Sequence, residues 1–141
     1  VRKEYTYQIY NSRLKDPFYV NRAWFYPKHL DEKIMQEAAS QFVGTHDFAS
    51  FQSAGGQERE TTVRTVFGLD VFRNGQDVVI EIAGDGFLYN MVRIITGTLV
   101  EVGLGKRKAE DLVEIIKSAD RTKAGHKAPA EGLYLVEVYY E

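Results

Sequence analysis

Two runs of strand-forming residues, Arg64 to Phe72 and Asp77 to Ala83, are joined across the dipeptide Asn74-Gly75. That dipeptide between alternating apolar runs is the strongest short-range signal for a β-hairpin. It commits the chain to an antiparallel pair before any other element is assigned. The remaining elements must then supply the layer that buries one face of that pair. With 141 residues, 44% of them hydrophobic, the chain fits one domain with a proper core.

The flanking segments supply that layer. Lys3 to Asn11 reads as a strand with Tyr5, Tyr7 and Ile9 on one face. Arg13 to Pro27 is aromatic but irregular. Asp31 is placed to cap a helix carrying Ile34, Met35, Ala38 and Phe42, with Leu30 and Met35 set for a hydrophobic staple and Gly44 as the stop. Asp85 can cap a second helix from Phe87 to Val102, whose apolar stripe is Phe87, Leu88, Met91, Val92, Ile95, Leu99 and Val102. Lys108 to Lys117 reads as a third helix, and Leu133 to Tyr140 as the last strand. The order β-α-β-β-α-α-β predicts an α+β, ferredoxin-like fold with one extra helix: a mostly antiparallel sheet with helices on one face. Such a fold hosts many functions and decides none.

Several chemistries lack their signatures. There is no cysteine, hence no disulfide framework or thiolate metal site, which fits a reducing cytoplasm. No phosphate-binding glycine loop and no H-E-x-x-H motif occurs, and the three histidines lack metal-ligand spacing, so no metal is expected. His46-Asp47 reads as a turn in which Asp47 bonds nearby backbone. No apolar run approaches the roughly 20 residues that span a bilayer, so no membrane partner is expected. The net charge of −2 argues against RNA binding by this chain alone. Basic residues nevertheless gather near the start, at Arg2, Lys3, Arg13, Lys15 and Arg22, at 106–108, and between Lys117 and Lys127, which allows a local positive surface.

On the second predicted helix, Arg93 projects away from the apolar stripe, with Asn90 and Gly97 on its side and Tyr89 beside it. Two readings stand: a solvated arginine on an exposed face, or a charged fork aimed into a cleft toward a carboxylate or phosphate. Gly97 costs a helix roughly 1 kcal/mol against Ala and makes sense where another backbone comes close. Tyr5, Tyr7 and Tyr10 are either ordinary strand composition or a platform on which a base could stack.

Four stretches together resemble the tRNA pseudouridine synthase A family. They are Lys3-Glu-Tyr-Thr-Tyr-Gln-Ile-Tyr-Asn11 with its Y-x-Y pattern, Gly44-Thr-His-Asp-Phe-Ala-Ser-Phe51, Gly86-Phe-Leu-Tyr-Asn-Met-Val-Arg93 running on to Gly103, and Ala128-Pro-Ala-Glu-Gly-Leu-Tyr-Leu135. The resemblance covers the whole chain in order. It implies isomerisation of uridine to pseudouridine in the tRNA anticodon stem-loop, with no cofactor, in the cytoplasm. It also implies that residues 1–141 are the C-terminal half of the catalytic region. The start at Val1 fits a fragment. The family's essential aspartate sits in a G-R-T-D-type segment that this sequence does not contain, so the chain alone is expected to be inactive.

Position by position, the resemblance makes Arg93 the partner of that missing aspartate. It makes Tyr5 the residue that stacks on the target uracil and helps remove its C5 proton. Leu133 and Leu135 correspond to an apolar wall beside the pocket, with plain core burial as the alternative. Arg59, Arg64, Lys123 and Lys127 are candidates for phosphate contacts, each with solvated surface as the alternative. The implied partners are tRNA, the protein's own N-terminal domain and, for the full-length protein, a second copy in a homodimer. The rival readings are a stand-alone RNA-binding module and a regulatory ferredoxin-like domain. Neither accounts for the co-occurrence of the four stretches.

Overall fold

The hairpin anchors the sheet. In the computed structural model, which describes residues 1–56 and 61–140, strands β4 (Val63–Asn74) and β5 (Asp77–Gly84) pair antiparallel, with Asn74 opposite Asp77. The two-residue loop is therefore Gly75-Gln76, one position later than the dipeptide suggests. Only Gly75 takes a positive φ, of 64°, as glycine does without steric cost. Strand β1 (Arg2–Asn11) lies antiparallel to the other edge of β5, and β6 (Leu133–Tyr139) lies antiparallel to β1. The resulting order β6-β1-β5-β4 is that of the expected ferredoxin-like sheet.

Two short strands extend it. β2 (Trp24–Tyr26) runs parallel to the end of β1, and β3 (Gly44–Asp47) runs antiparallel to β4. Sequence alone placed no strand in either segment. Three or four residues carry too little period for recognition, and their pairing comes from the neighbouring strand. His46 and Asp47 therefore end a strand paired to β4 rather than form the expected turn, although the expected backbone bond is present: the Asp47 carboxylate accepts from the Ala49 N–H at 3.0 Å.

A bulge at Phe67 explains why the alternation along β4 switches phase. Val66 pairs with Gly84 and Gly68 with Ala83, so Val66, Leu69 and Val71 all reach the core while Phe67 is exposed. They meet Tyr7 and Ile9 of β1 and Val78, Ile80 and Ile82 of β5.

Helix α1 (Glu32–Ala39) starts at Asp31, whose carboxylate accepts from the Lys33 and Ile34 N–H groups. Leu30 and Met35 are fully buried, whereas Ile34 is 39% exposed. The second helix departs from expectation. α2 spans Met91–Gly103, not Phe87 to Val102, and Asp85 does not cap it. The Asp85 carboxylate instead accepts from the Thr65 N–H at 2.9 Å, closing the end of β5 onto β4. Residues Gly86 to Asn90 form a turn that ends with Asn90 in the left-handed region at φ 60°. The third helix, α3 (Leu112–Ser118), is entered through a 3-10 turn at Ala109–Asp111, so it too begins later than expected.

All residues of α2 except Arg93 and Glu101 are buried. One side of α2 joins the sheet core, and the segment from Arg121 to Gly132 covers another side. Gly125 N–H donates to Thr98 Oγ1 at 2.8 Å, and Ala128 N–H donates to the Arg93 carbonyl at 2.9 Å. Glu101 pairs with Arg107, which in turn donates to the Lys123 carbonyl. Gly97 is where this cover comes closest, in accord with the backbone approach expected there. No helix among the described residues is long and apolar enough to cross a membrane.

Candidate functional site

Tyr5, Arg93 and Leu133 line one cleft of about 370 Å³, together with Lys3, Phe87, Leu88, Tyr89, Asn90, Met91 and Val92. Strand alternation sets the β1 side. Lys3 and Tyr5 project to the face that carries Tyr7 and Ile9 farther along, beyond the end of the core. The turn before α2 forms the opposing wall. Its Phe87 ring meets the Tyr5 ring edge-on, with centroids 5.3 Å apart and planes at 87°, an arrangement aromatic pairs favour. Tyr5 is thus half-buried and held in orientation by a residue that periodicity had assigned to a helical stripe.

Arg93 opens the first turns of α2. It is neither of the two readings in pure form: half-buried, it faces the cleft rather than bulk solvent. Its Nε–H donates to the Ala128 carbonyl at 2.7 Å, and Nη1 donates to Asn90 Oδ1 at 3.3 Å. No carboxylate lies within ion-pair distance of Arg93 among the described residues. Burying a guanidinium part-way without a counter-charge is costly, and neutral acceptors offset only part of that cost.

The last strand brings the leucines to the same side. Leu135 stands opposite Tyr5 and Leu133 opposite Tyr7. Leu133 is partly buried against the core and lines the cleft. Leu135 is 56% exposed and outside the lining, so core burial describes neither residue fully. Behind them Tyr7 is fully buried, and its hydroxyl donates to the Pro129 carbonyl at 2.5 Å. Burial pushes its phenol well above the ordinary value. The Arg93 charge pulls it back in smaller measure, and Glu131 adds to the rise.

The basic candidates do not converge with this group. Arg64 spends Nη1 on the carbonyls of Thr61 and Val63 at 2.8 and 2.7 Å, and its stem passes beside Gly86, where the turn into α2 begins. Lys123 and Lys127 are exposed on the segment covering α2. Arg59 lies outside the described residues. The cleft's own cation besides Arg93 is Lys3, which sequence reading left in a diffuse N-terminal basic group. Its spacing of two from Tyr5 was the signal that could have found it. No cluster of metal-ligating side chains occurs among the described residues.

Residues 38–141 match the sequence model of a family described as tRNA pseudouridine synthase. Curated relatives agree. The chain is 53% identical over 138 residues to tRNA pseudouridine synthase A of Acetivibrio thermocellus, covering 98% of this chain and 56% of that protein. It is 51% identical over 138 residues to tRNA pseudouridine synthase A of Brevibacillus brevis, with coverage of 98% and 56%. It is 48% identical over 140 residues to tRNA pseudouridine synthase A 2 of Clostridium tetani, with coverage of 99% and 56%. The chain thus spans about half the length of the curated relatives it matches. With a family match running from the last turn of α1 through β6, and with these relatives aligned over nearly all of the chain, the chain belongs to the tRNA pseudouridine synthase family.

Proposed function

We propose that the whole protein isomerises uridine to pseudouridine in the anticodon stem-loop of tRNA, and that this chain supplies one wall of the active site. The observation that carries this reading is the meeting of Tyr5, Arg93 and Leu133 in one cleft, with no carboxylate paired to Arg93 among the described residues. In this reading an aspartate from the protein's N-terminal half enters the cleft and pairs with Arg93. The guanidinium keeps it ionised and oriented for attack. The uracil, turned out of its stack, lies against the Tyr5 ring. Attack of the aspartate at the ribose C1′ displaces the base and breaks its bond through N1, the ring turns, and C5 attacks C1′ to release the aspartate and form the carbon–carbon bond. The C5 proton then leaves with the help of the Tyr5 hydroxyl and N1 takes up a proton, so that the product keeps the atoms of uridine. Leu133, with Leu135 beside it, lines an apolar wall that keeps water from the separated base.

Exposed Lys123 and Lys127, with Arg59 and Arg64, are proposed to hold phosphates of the stem-loop. The N-terminal half and a second copy of the full-length protein are the proposed protein partners. A cytoplasmic site of action suits a cysteine-free chain.

The test is pseudouridine formation on an unmodified tRNA. The full-length protein is expected to be active and residues 1–141 alone inert. Arg93→Ala in the full-length protein is expected to lose about a hundred- to a thousandfold in turnover, the scale of a lost electrostatic contact in a dry site, while still binding tRNA. Near-wild-type turnover in that variant would overturn the role of Arg93. Activity in residues 1–141 alone would place the nucleophile in this chain.

A further inference from the structure

The Arg93 guanidinium is gripped by two neutral acceptors from different parts of the chain, and each grip is itself held in place. Ala128, which accepts from Nε, returns a hydrogen bond from its own N–H to the Arg93 carbonyl. The adjoining Pro129 carbonyl accepts from the buried Tyr7 hydroxyl. Gly132, a few residues on, packs so tightly on the Tyr7 ring that a Cβ there would come within 2.7 Å of it. Asn90, the other grip, donates through its amide nitrogen to Ser53 Oγ at 3.3 Å, which fixes which face of the amide turns its oxygen to Arg93. These contacts leave Nη2 of Arg93 without a hydrogen bond among the described residues.

We infer that Asn90 and Tyr7 are positioning residues of the reaction: Asn90 aims the Arg93 guanidinium directly, and Tyr7 aims it through the Ala128-Pro129 segment. The inference rests on Arg93 meeting the catalytic carboxylate, as proposed above. With Nε and Nη1 tied back, Nη2 is presented to the incoming carboxylate without the entropy of searching for it. A guanidinium that swung free would still be positive, but a displacement of about 1 Å in such a contact costs on the order of a hundredfold in rate.

The variants are made in the full-length protein. Asn90→Gly suits the left-handed backbone and removes the amide. Asn90→Asp keeps the shape but places a carboxylate beside Nη1, where it competes for the guanidinium. The expected kcat losses are roughly tenfold for Asn90→Gly and about a hundredfold for Asn90→Asp, with KM for tRNA and Tm near wild type. A merely structural Asn90 would give the reverse order, since Asp preserves more of the native contacts than Gly. Tyr7→Phe keeps the ring and loses the bond to Pro129, and it is expected to lower kcat roughly tenfold with KM unchanged. If Asn90→Asp is as active as Asn90→Gly or more so, the inference fails for Asn90. If Tyr7→Phe keeps kcat within about twofold, well inside the loss expected of a misplaced group, it fails for Tyr7, whether or not the Asn90 variants fold. An active Arg93→Ala would instead sink the reading of Arg93, a result distinct from either failure.

Discussion

Gly97 of α2 lies directly under the carbonyl of His126: a Cβ at position 97 would stand 1.6 Å from that oxygen. No rotamer relieves such a clash, because the backbone fixes the Cβ position and its neighbour is a backbone carbonyl. The close approach is what lets Ala128, two residues on, bond to Arg93 in both directions. A helix glycine therefore sets the seat of the segment that covers α2 beside the cleft.

Gly97→Ala follows directly. In an unconstrained helix the change would stabilise by roughly 1 kcal/mol. Here it forces the segment outward, at a cost typical of overpacking, about 1–3 kcal/mol. The variant is expected to have a lower urea midpoint than wild type and to lose turnover as the Arg93 contact to Ala128 loosens. A midpoint equal to or above wild type would mean that the segment does not rest on Gly97.

Substitutions at Tyr5 tell apart its two proposed roles, stacking and proton transfer. Tyr5→Phe keeps the ring and its edge-on contact with Phe87, so tRNA affinity should hold. Loss of the hydroxyl should cost on the order of a hundredfold or more in product formation, the usual worth of a positioned acid or base. Tyr5→Ala should lose affinity as well, because base stacking contributes roughly 1–3 kcal/mol. Filter binding and a single-turnover assay read the two effects. Equal turnover in Tyr5→Phe and wild type would assign Tyr5 to stacking alone.

The entry to α1 carries a pH signature. Arg73 Nε donates to Glu32 at 3.1 Å, and Arg73 Nη2 donates to Asn11 Oδ1 and the Leu30 carbonyl. The Glu32 carboxyl is held below its ordinary value of 4.5, chiefly by its own backbone N–H and then by Arg73. A folded value lower than the unfolded one means that its contribution is complete above that ordinary value. It is lost as pH falls through the depressed folded value. Stability measured from neutral to acid pH should therefore decline less steeply in Glu32→Gln than in wild type. Parallel declines would show that the pair does not differ between the folded and unfolded states.

What the sequence determined by itself was whatever local chemistry controls. Asp31 caps α1 because its carboxylate needs only the next turn's N–H groups. The hairpin forms because glycine alone accepts the turn's φ at little cost. The core faces of β1 and β5 follow from a period of two. The Y-x-Y and F-L-Y-N-M-V-R stretches carried the family. Tertiary structure decided the rest. β2 and β3 exist because β1 and β4 offer them a partner, which three or four residues cannot announce. The start of α2 was misplaced because Phe87 and Leu88, apolar at helical spacing, serve the cleft and core from a turn instead. That turn depends on a left-handed Asn90 and on Asp85 engaging Thr65. Periodicity alone favours a solvated Arg93 over a cleft-facing one, since a helix wheel cannot know that Ala128, 35 residues away, covers it. Contacts between residues distant in sequence depend on the whole packing arrangement, and periodicity reports only on neighbours within a turn or a pleat.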